Sequence, residues 1–231
     1  MQDKILDHLS EDVRFKEGFN ACMNCGICTS VCPAAEFLDY DPRNIIRIIK
    51  TDDERQIKDL LESDTIWYCG QCMSCKTRCP RNNCPGLIIS ALRKISQEKG
   101  YFIKSKKGRQ QYIIKEIIAN NLIKYGYCIH PKSIKPNDHP EQGTVWRWIY
   151  ENMYEVYTSV GANLDREGTG ALRKIPEESM DEFRKIIEIT GGSVLFETIE
   201  NYSKGKATEL GYTDINGQPD MKKYIEFILN E

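Results

Sequence analysis

The feature that most constrains this chain is a repeated run of cysteines. Residues 22–33 read Cys22-Met23-Asn24-Cys25-Gly26-Ile27-Cys28-Thr29-Ser30-Val31-Cys32-Pro33. Residues 69–80 read Cys69-Gly70-Gln71-Cys72-Met73-Ser74-Cys75-Lys76-Thr77-Arg78-Cys79-Pro80. Both are Cys-x2-Cys-x2-Cys-x3-Cys-Pro, the bacterial-type run that holds a 4Fe-4S cluster and lends its fourth Cys to the other cluster. Three thiolates, each three positions after the last on a tightly coiled loop, can reach three irons of one cube. The N–H groups of such a loop point at the cluster sulfurs and stabilise their charge. The fourth Cys turns away, and the proline after it stops the loop from continuing. The spacing therefore predicts two 4Fe-4S clusters with crossed ligands. One is held by Cys22, Cys25, Cys28 and Cys79, the other by Cys69, Cys72, Cys75 and Cys32. Crossing staples the two halves together and keeps the clusters close enough for electron transfer.

Two structural readings compete. Zinc prefers paired Cys-x2-Cys knuckles separated by a longer gap, which a triple followed by Cys-Pro does not match. Disulfides need an oxidising compartment. The start, Met1-Gln2-Asp3-Lys4-Ile5-Leu6-Asp7, has neither a basic n-region nor an apolar h-region, so no secretory signal is expected and a cytoplasmic location is. Ten Cys in 231 residues is also too few for a disulfide scaffold. With 32 Lys and Arg against 34 Asp and Glu, the net charge of -2 argues against a general nucleic-acid binder. No apolar run approaches the roughly 20 residues of a membrane span.

The rest of the pattern predicts a mostly α protein. Pro42 opens a helix whose apolar side is Ile45, Ile46, Ile48 and Ile49. Another helix is expected from Asp52 or Asp53 to about Ser63. Further helices are expected from Pro85 to near Gly100, from Gln110 to Tyr125, and from Thr144 to Val160. The last three are Ser179–Thr190 with Gly191 as cap, Val194 to about Lys204, and Pro219–Asn230. Cys128 to Gly143, with three prolines and an Asp138-His139-Pro140 turn, reads as a rigid loop. Two domains are expected: 1–105, carrying both clusters, and 106–231, a helical extension for packing and docking.

Two helices between Cys32 and Cys69, in place of strands, make the chain resemble the α-helical ferredoxin domain. That domain occurs in iron–sulfur subunits of succinate dehydrogenase type and in the C-type subunit of heterodisulfide reductases. Trp67-Tyr68-Cys69 and Cys79-Pro80-Arg81 look most like the latter, and Glu182, Phe183, Ile187 and Thr190-Gly191-Gly192 add to the likeness. The resemblance implies an electron-transfer subunit that turns over no substrate itself. Its implied partners are the heterodisulfide reductase's B-like catalytic protein, with Cys-Cys-Gly motifs, and its A-like flavoprotein, reached directly or through the B-like protein. This chain has no adjacent Cys pair, so that catalytic chemistry is absent from it. The alternative is an iron–sulfur subunit of a membrane-associated dehydrogenase of succinate, lactate or glycerol-3-phosphate type.

Other residues are read as structural. Cys84 sits in Asn82-Asn83-Cys84-Pro85 and shields a cluster. Cys128, near His130 and His139, matches no zinc spacing. Trp146, Tyr150, Met153 and Tyr157 form one stripe of a helix, and Val145, Trp148, Ile149, Asn152 and Val156 a second. Such a helix is expected to be buried on two sides, by the core or by contact with a partner. No Gly-rich phosphate loop and no nucleophilic triad is visible, so no catalytic residue is assigned. Lys76, Arg78 and Arg81 surround the second motif, whereas acidic residues follow the first. That contrast predicts the higher potential at the second cluster.

Overall fold

A computed structural model describes residues 4–137 and 139–231. The Met1–Asp3 part of the expected leaderless start and Asp138 of the predicted turn lie outside the described residues. The helices in chain order are α1 (Ile5–Glu11), α2 (Val13–Gly18), α3 (Ile27–Ser30), α4 (Pro33–Phe37), α5 (Pro42–Lys50), α6 (Glu54–Leu61), α7 (Ser74–Arg78), α8 (Pro85–Glu98), α9 (Lys106–Ile114), α10 (Asn120–Tyr125), α11 (Gly143–Glu151), α12 (Met153–Ser159), α13 (Glu177–Ile189), α14 (Gly192–Glu209) and α15 (Met221–Asn230). A π-helical turn, Lys115–Ala119, joins α9 to α10. Among the described residues the only β feature is an isolated bridge between Thr213 and Pro219. The fold is mostly α, as expected.

The chain divides into two compact units. One runs to Gln111 and takes up Thr198–Glu231; the other is Tyr112–Glu197. In the first unit, local chemistry starts several of the helices. Pro42 and Pro85 stand at the first turns of α5 and α8. Asp12, Asp41 and Asp53 accept hydrogen bonds from the free backbone N–H groups of α2, α5 and α6, as N-caps do. Ile45, Ile46 and Ile49 of α5, Ile57, Leu60 and Leu61 of α6, and Ile88, Ile89, Leu92 and Ile95 of α8 then close one apolar core, with Cys22, Cys32 and Cys69 packed against its edge. Ser96 Oγ of α8 donates to the Leu61 carbonyl at 2.8 Å, fixing α6 on α8. Gly18 lets α2 approach α8: a Cβ there would sit 3.0 Å from the Cys84 carbonyl oxygen and 3.1 Å from Ile88 Cγ1. The C-terminal part of this unit carries Tyr212, Tyr224 and Phe227 as an aromatic group. Glu231 pairs with the buried Arg109 guanidinium.

The second unit holds the loop around His130. That imidazole is fully buried and stacks on Tyr125 at 4.0 Å between centroids. Its Nδ1 accepts from Lys132 N–H at 3.3 Å, and Nε2 lies 3.1 Å from Asp165 Oδ1. Lys132 Nζ forms an ion pair with the other carboxylate oxygen at 2.5 Å. Every polar function of the imidazole is thus engaged within the unit.

Several helix boundaries differ from expectation, two of them for a visible reason. Thr144–Val160 is not one helix: it breaks at Asn152, the C-cap of α11, whose N–H and Nδ2 both donate to the Trp148 carbonyl. The stripe with Trp146 is the more inward, with Met153 buried and Trp146 Nε1 donating to the Ile134 carbonyl at 2.9 Å. Val145 and Trp148 are exposed. The predicted Gln110–Tyr125 helix begins earlier, at Lys106, where Ser105 Oγ accepts from Gly108 N–H at 2.8 Å.

Candidate metal centres

The two cysteine loops share one backbone design. In the first, the second and fourth residues after Cys22 are left-handed: Asn24 at φ 58° and Gly26 at φ 81°. In the second, the same places after Cys69 are Gln71 at φ 53° and Met73 at φ 59°. Alternating hand turns successive N–H groups to one side of the loop and makes an anion-binding concavity. Asn24 N–H points at Cys22 Sγ at 3.4 Å, and Gln71 N–H points at Cys69 Sγ at the same distance. Gln71 and Met73 take this hand at a cost of about 1–2 kcal/mol each, which glycine escapes and asparagine largely avoids.

A short helix follows each loop, α3 and α7, and the run then turns sharply at Cys32 and Cys79, both extended. Pro33 starts α4. On the other run, Asn83 and Cys84 lead the chain back to the segment before the first motif. Asn20 N–H donates to Asn83 Oδ1 at 2.7 Å, and Cys84 N–H donates to the Gly18 carbonyl at 2.7 Å. Asn83 N–H in turn donates to Cys79 Sγ at 3.3 Å. Cys79 is carried in this way to the first loop.

Two cavities result. Cys22, Cys25, Cys28 and Cys79 line the first, together with Arg43, Arg81 and Asn83. Cys32, Cys69, Cys72 and Cys75 line the second, together with Tyr40 and Met73. Pro85 lines both. They are matched in size, with about 390 and 380 Å³ of empty space, open solvent included. Among the described residues no three Cys, His, Asp or Glu side chains converge tightly enough for a single metal ion. Four thiols around a space of this size, with inward N–H groups, suit a body larger than one ion. None of the ten cysteines is in a disulfide.

The surroundings differ between the cavities. Burial raises the Cys75 thiol to about 11 and raises Cys28 as well, whereas the Ser74 hydroxyl, 3.5 Å from Cys72 Sγ, lowers exposed Cys72. Arg93 braces the second loop from α8, donating to the Ile66 and Cys69 carbonyls at 2.8 and 2.6 Å. Gln71 Nε2 adds a bond to Ser90 Oγ at 2.7 Å. The charge contrast is arranged differently in the fold. Arg81 follows the second motif in sequence, but it lines the first cavity with Cys79; Arg43 joins it, and no charged residue lines the second. Arg43, Asn83, Tyr40 and Arg93 carried no spacing signal, and sequence reading passed over them.

Cys84 is fully buried, with its sulfur 3.5 Å from Met73 Sδ, and lines neither cavity. Cys128 is exposed.

Comparison with known proteins follows the same residues. Residues 18–83 match the family of 4Fe-4S dicluster domains. The C subunit of the ferredoxin:CoB-CoM heterodisulfide reductase of Methanosarcina acetivorans is 33% identical over 144 residues, 62% of this chain and 54% of that protein. The second iron–sulfur C subunit of the CoB–CoM heterodisulfide reductase of Methanocaldococcus jannaschii is 34% identical over 118 residues, 50% of this chain and 60% of that one. The corresponding iron–sulfur C subunit of Methanopyrus kandleri is 32% identical over 116 residues, 48% and 59%. The chain thus spans between half and three fifths of the length of these relatives. Cysteine pattern, helical core and likeness agree: residues 18–83 are a 4Fe-4S dicluster domain, and the chain that carries it is an iron–sulfur protein like the C subunit of heterodisulfide reductases.

Proposed function

We propose that this chain is a non-catalytic electron-transfer subunit of a heterodisulfide-reductase-like complex. Cys22, Cys25, Cys28 and Cys79 hold one 4Fe-4S cluster; Cys69, Cys72, Cys75 and Cys32 hold a second. When bound, such clusters supply reversible one-electron carriers. The protein's own residues do the rest. Asn24 and Gln71 N–H groups stabilise thiolate charge at the first Cys of each loop. Asn83 holds Cys79, and Arg93 holds the second loop. Arg43 and Arg81 offset negative charge at the first site. Pro85, common to both walls, keeps the gap between the sites short.

The observation that carries this reading is the composition of the cavities: each takes three thiols from one motif and the fourth from the other. The names of the relatives support the complex. On this reading, electrons pass between an A-like flavoprotein, directly or through the B-like protein, and that B-like catalytic protein with its Cys-Cys-Gly motifs. Residues 106–231 pack and dock. No nucleic acid takes part, and the complex is cytoplasmic. Among the described residues no helix is long and apolar enough to cross a membrane.

Anaerobic isolation from native extract tests the proposal, with iron, sulfide and flavin measured on everything that comes along. The reading predicts a brown chain with about eight iron, in company with a Cys-Cys-Gly protein and a flavoprotein. A colourless chain with stoichiometric zinc contradicts the clusters. A loaded chain that arrives with quinone-reactive membrane proteins contradicts the complex.

A further inference from the structure

The wall of the second cavity contains a buried phenol. Tyr40 is 4% exposed and lines the space between Cys32, Cys69, Cys72 and Cys75. Its hydroxyl has no hydrogen-bond partner among the described residues. Buried hydroxyls are rarely left so, because the lost hydration is not replaced. The ring is held in place: it belongs to the apolar core, and Tyr68 meets it edge-on at 6.3 Å between centroids. Cys69 and then Cys32 are the sulfurs that interact with it, and a phenol, whose ordinary pKa is about 10, keeps its proton to donate at neutral pH. No hydroxyl side chain lines the first cavity.

We propose that Tyr40 donates its hydroxyl hydrogen to the sulfur face of the second site, with Cys69 Sγ as first acceptor, and so raises the reduction potential of that site alone. The inference rests on the reading that both cavities hold clusters. One electron enters and adds one negative charge to the site, while the phenolic proton stays on oxygen. A fixed donor favours the more negative state, so it favours reduction. Tyr40 acts on the thiolate and touches no substrate; it is a positioning residue for charge.

The test is a potentiometric titration of the anaerobic holoprotein followed by EPR, in wild type and Tyr40→Phe. Cys72→Ser alters one signal and thereby marks the second site. The expected result is a second-site reduction constant lowered about tenfold in Tyr40→Phe, equivalent to ~59 mV for one electron, with the first site unmoved. Placing 2,3-difluorotyrosine at position 40 keeps the shape and strengthens the donor, so the same midpoint rises; this variant also decides the matter if Tyr40→Phe loads poorly. An unmoved second midpoint in fully loaded protein, or equal shifts at both sites, overturns the role of Tyr40 and leaves the cluster reading intact. Wild type that cannot be loaded to about eight iron overturns the cluster reading, and this inference with it.

Discussion

Asn83 links two stretches of chain more than sixty positions apart. It accepts from Asn20 N–H through Oδ1 and gives its own N–H to Cys79 Sγ, and it is only 2% exposed. Asn83→Ala removes the acceptor of the Asn20 N–H, at a cost of about 0.5–1.5 kcal/mol. The first site is then expected to lose iron to a chelator faster than the second, followed by EPR of the two signals; equal loss from both would refute the role. Gly18→Ala places a methyl against the Cys84 carbonyl, and denaturant unfolding should show a loss of about 1–3 kcal/mol; an unchanged midpoint would refute the close contact. At His130, burial outweighs the pull of Asp165 and lowers the pKa. The unfolded chain therefore binds the proton more readily than the folded one. Stability contributed by neutral His130 is full above about pH 6.5 and falls as pH drops through the depressed folded value. Melting temperatures from pH 8 to 5 should decline in wild type more than in His130→Gln, and parallel declines would refute this account. None of these three roles could be read from residue type, because each depends on what the fold brings alongside.

At the scale of elements, proline and aspartate made several helices legible. Asp41-Pro42, Asp53 and Pro85 start α5, α6 and α8 where capping chemistry puts them, and the isoleucines of α5 face the core as their spacing predicted. Breaks inside aromatic or basic stretches were not legible. Nothing in the apolar pattern of 144–160 marks Asn152 as a helix end, because that end is made by the Asn152 backbone, at φ -114° and ψ 23°, with its Nδ2 donating to the Trp148 carbonyl. Asp41 does more than cap: its Oδ1 accepts from Arg43 N–H at 2.9 Å and also from the Thr29 hydroxyl, joining α5 to α3 beside Cys28. Asp41→Ala should cost about 1–2 kcal/mol, whereas Asp41→Asn, which keeps an acceptor, should cost less. Thermal unfolding of the pair checks this, and equal losses would show that the cap is idle.

At the scale of the whole molecule, the grouping of thiols around each cavity was legible in the cysteine spacing, since Cys-x2-Cys-x2-Cys-x3-Cys-Pro already separates the fourth thiol from the first three. The charge environment was not legible for the same reason. Exchange of the fourth cysteine carries Arg81 to the opposite cavity from the motif it follows, so counting charges along the chain assigned it to the wrong site. Crossed capture also predicts how damage spreads, and this tests the central claim most directly. Two double variants are compared by iron content and EPR after anaerobic reconstitution. Cys25→Ser with Cys79→Ser removes two ligands of one set; Cys25→Ser with Cys32→Ser removes one from each. The account predicts that the first pair leaves one cluster, about four iron, with an unaltered signal, while the second pair disturbs both signals. The reverse, with Cys25→Ser and Cys32→Ser sparing one cluster intact, would contradict it.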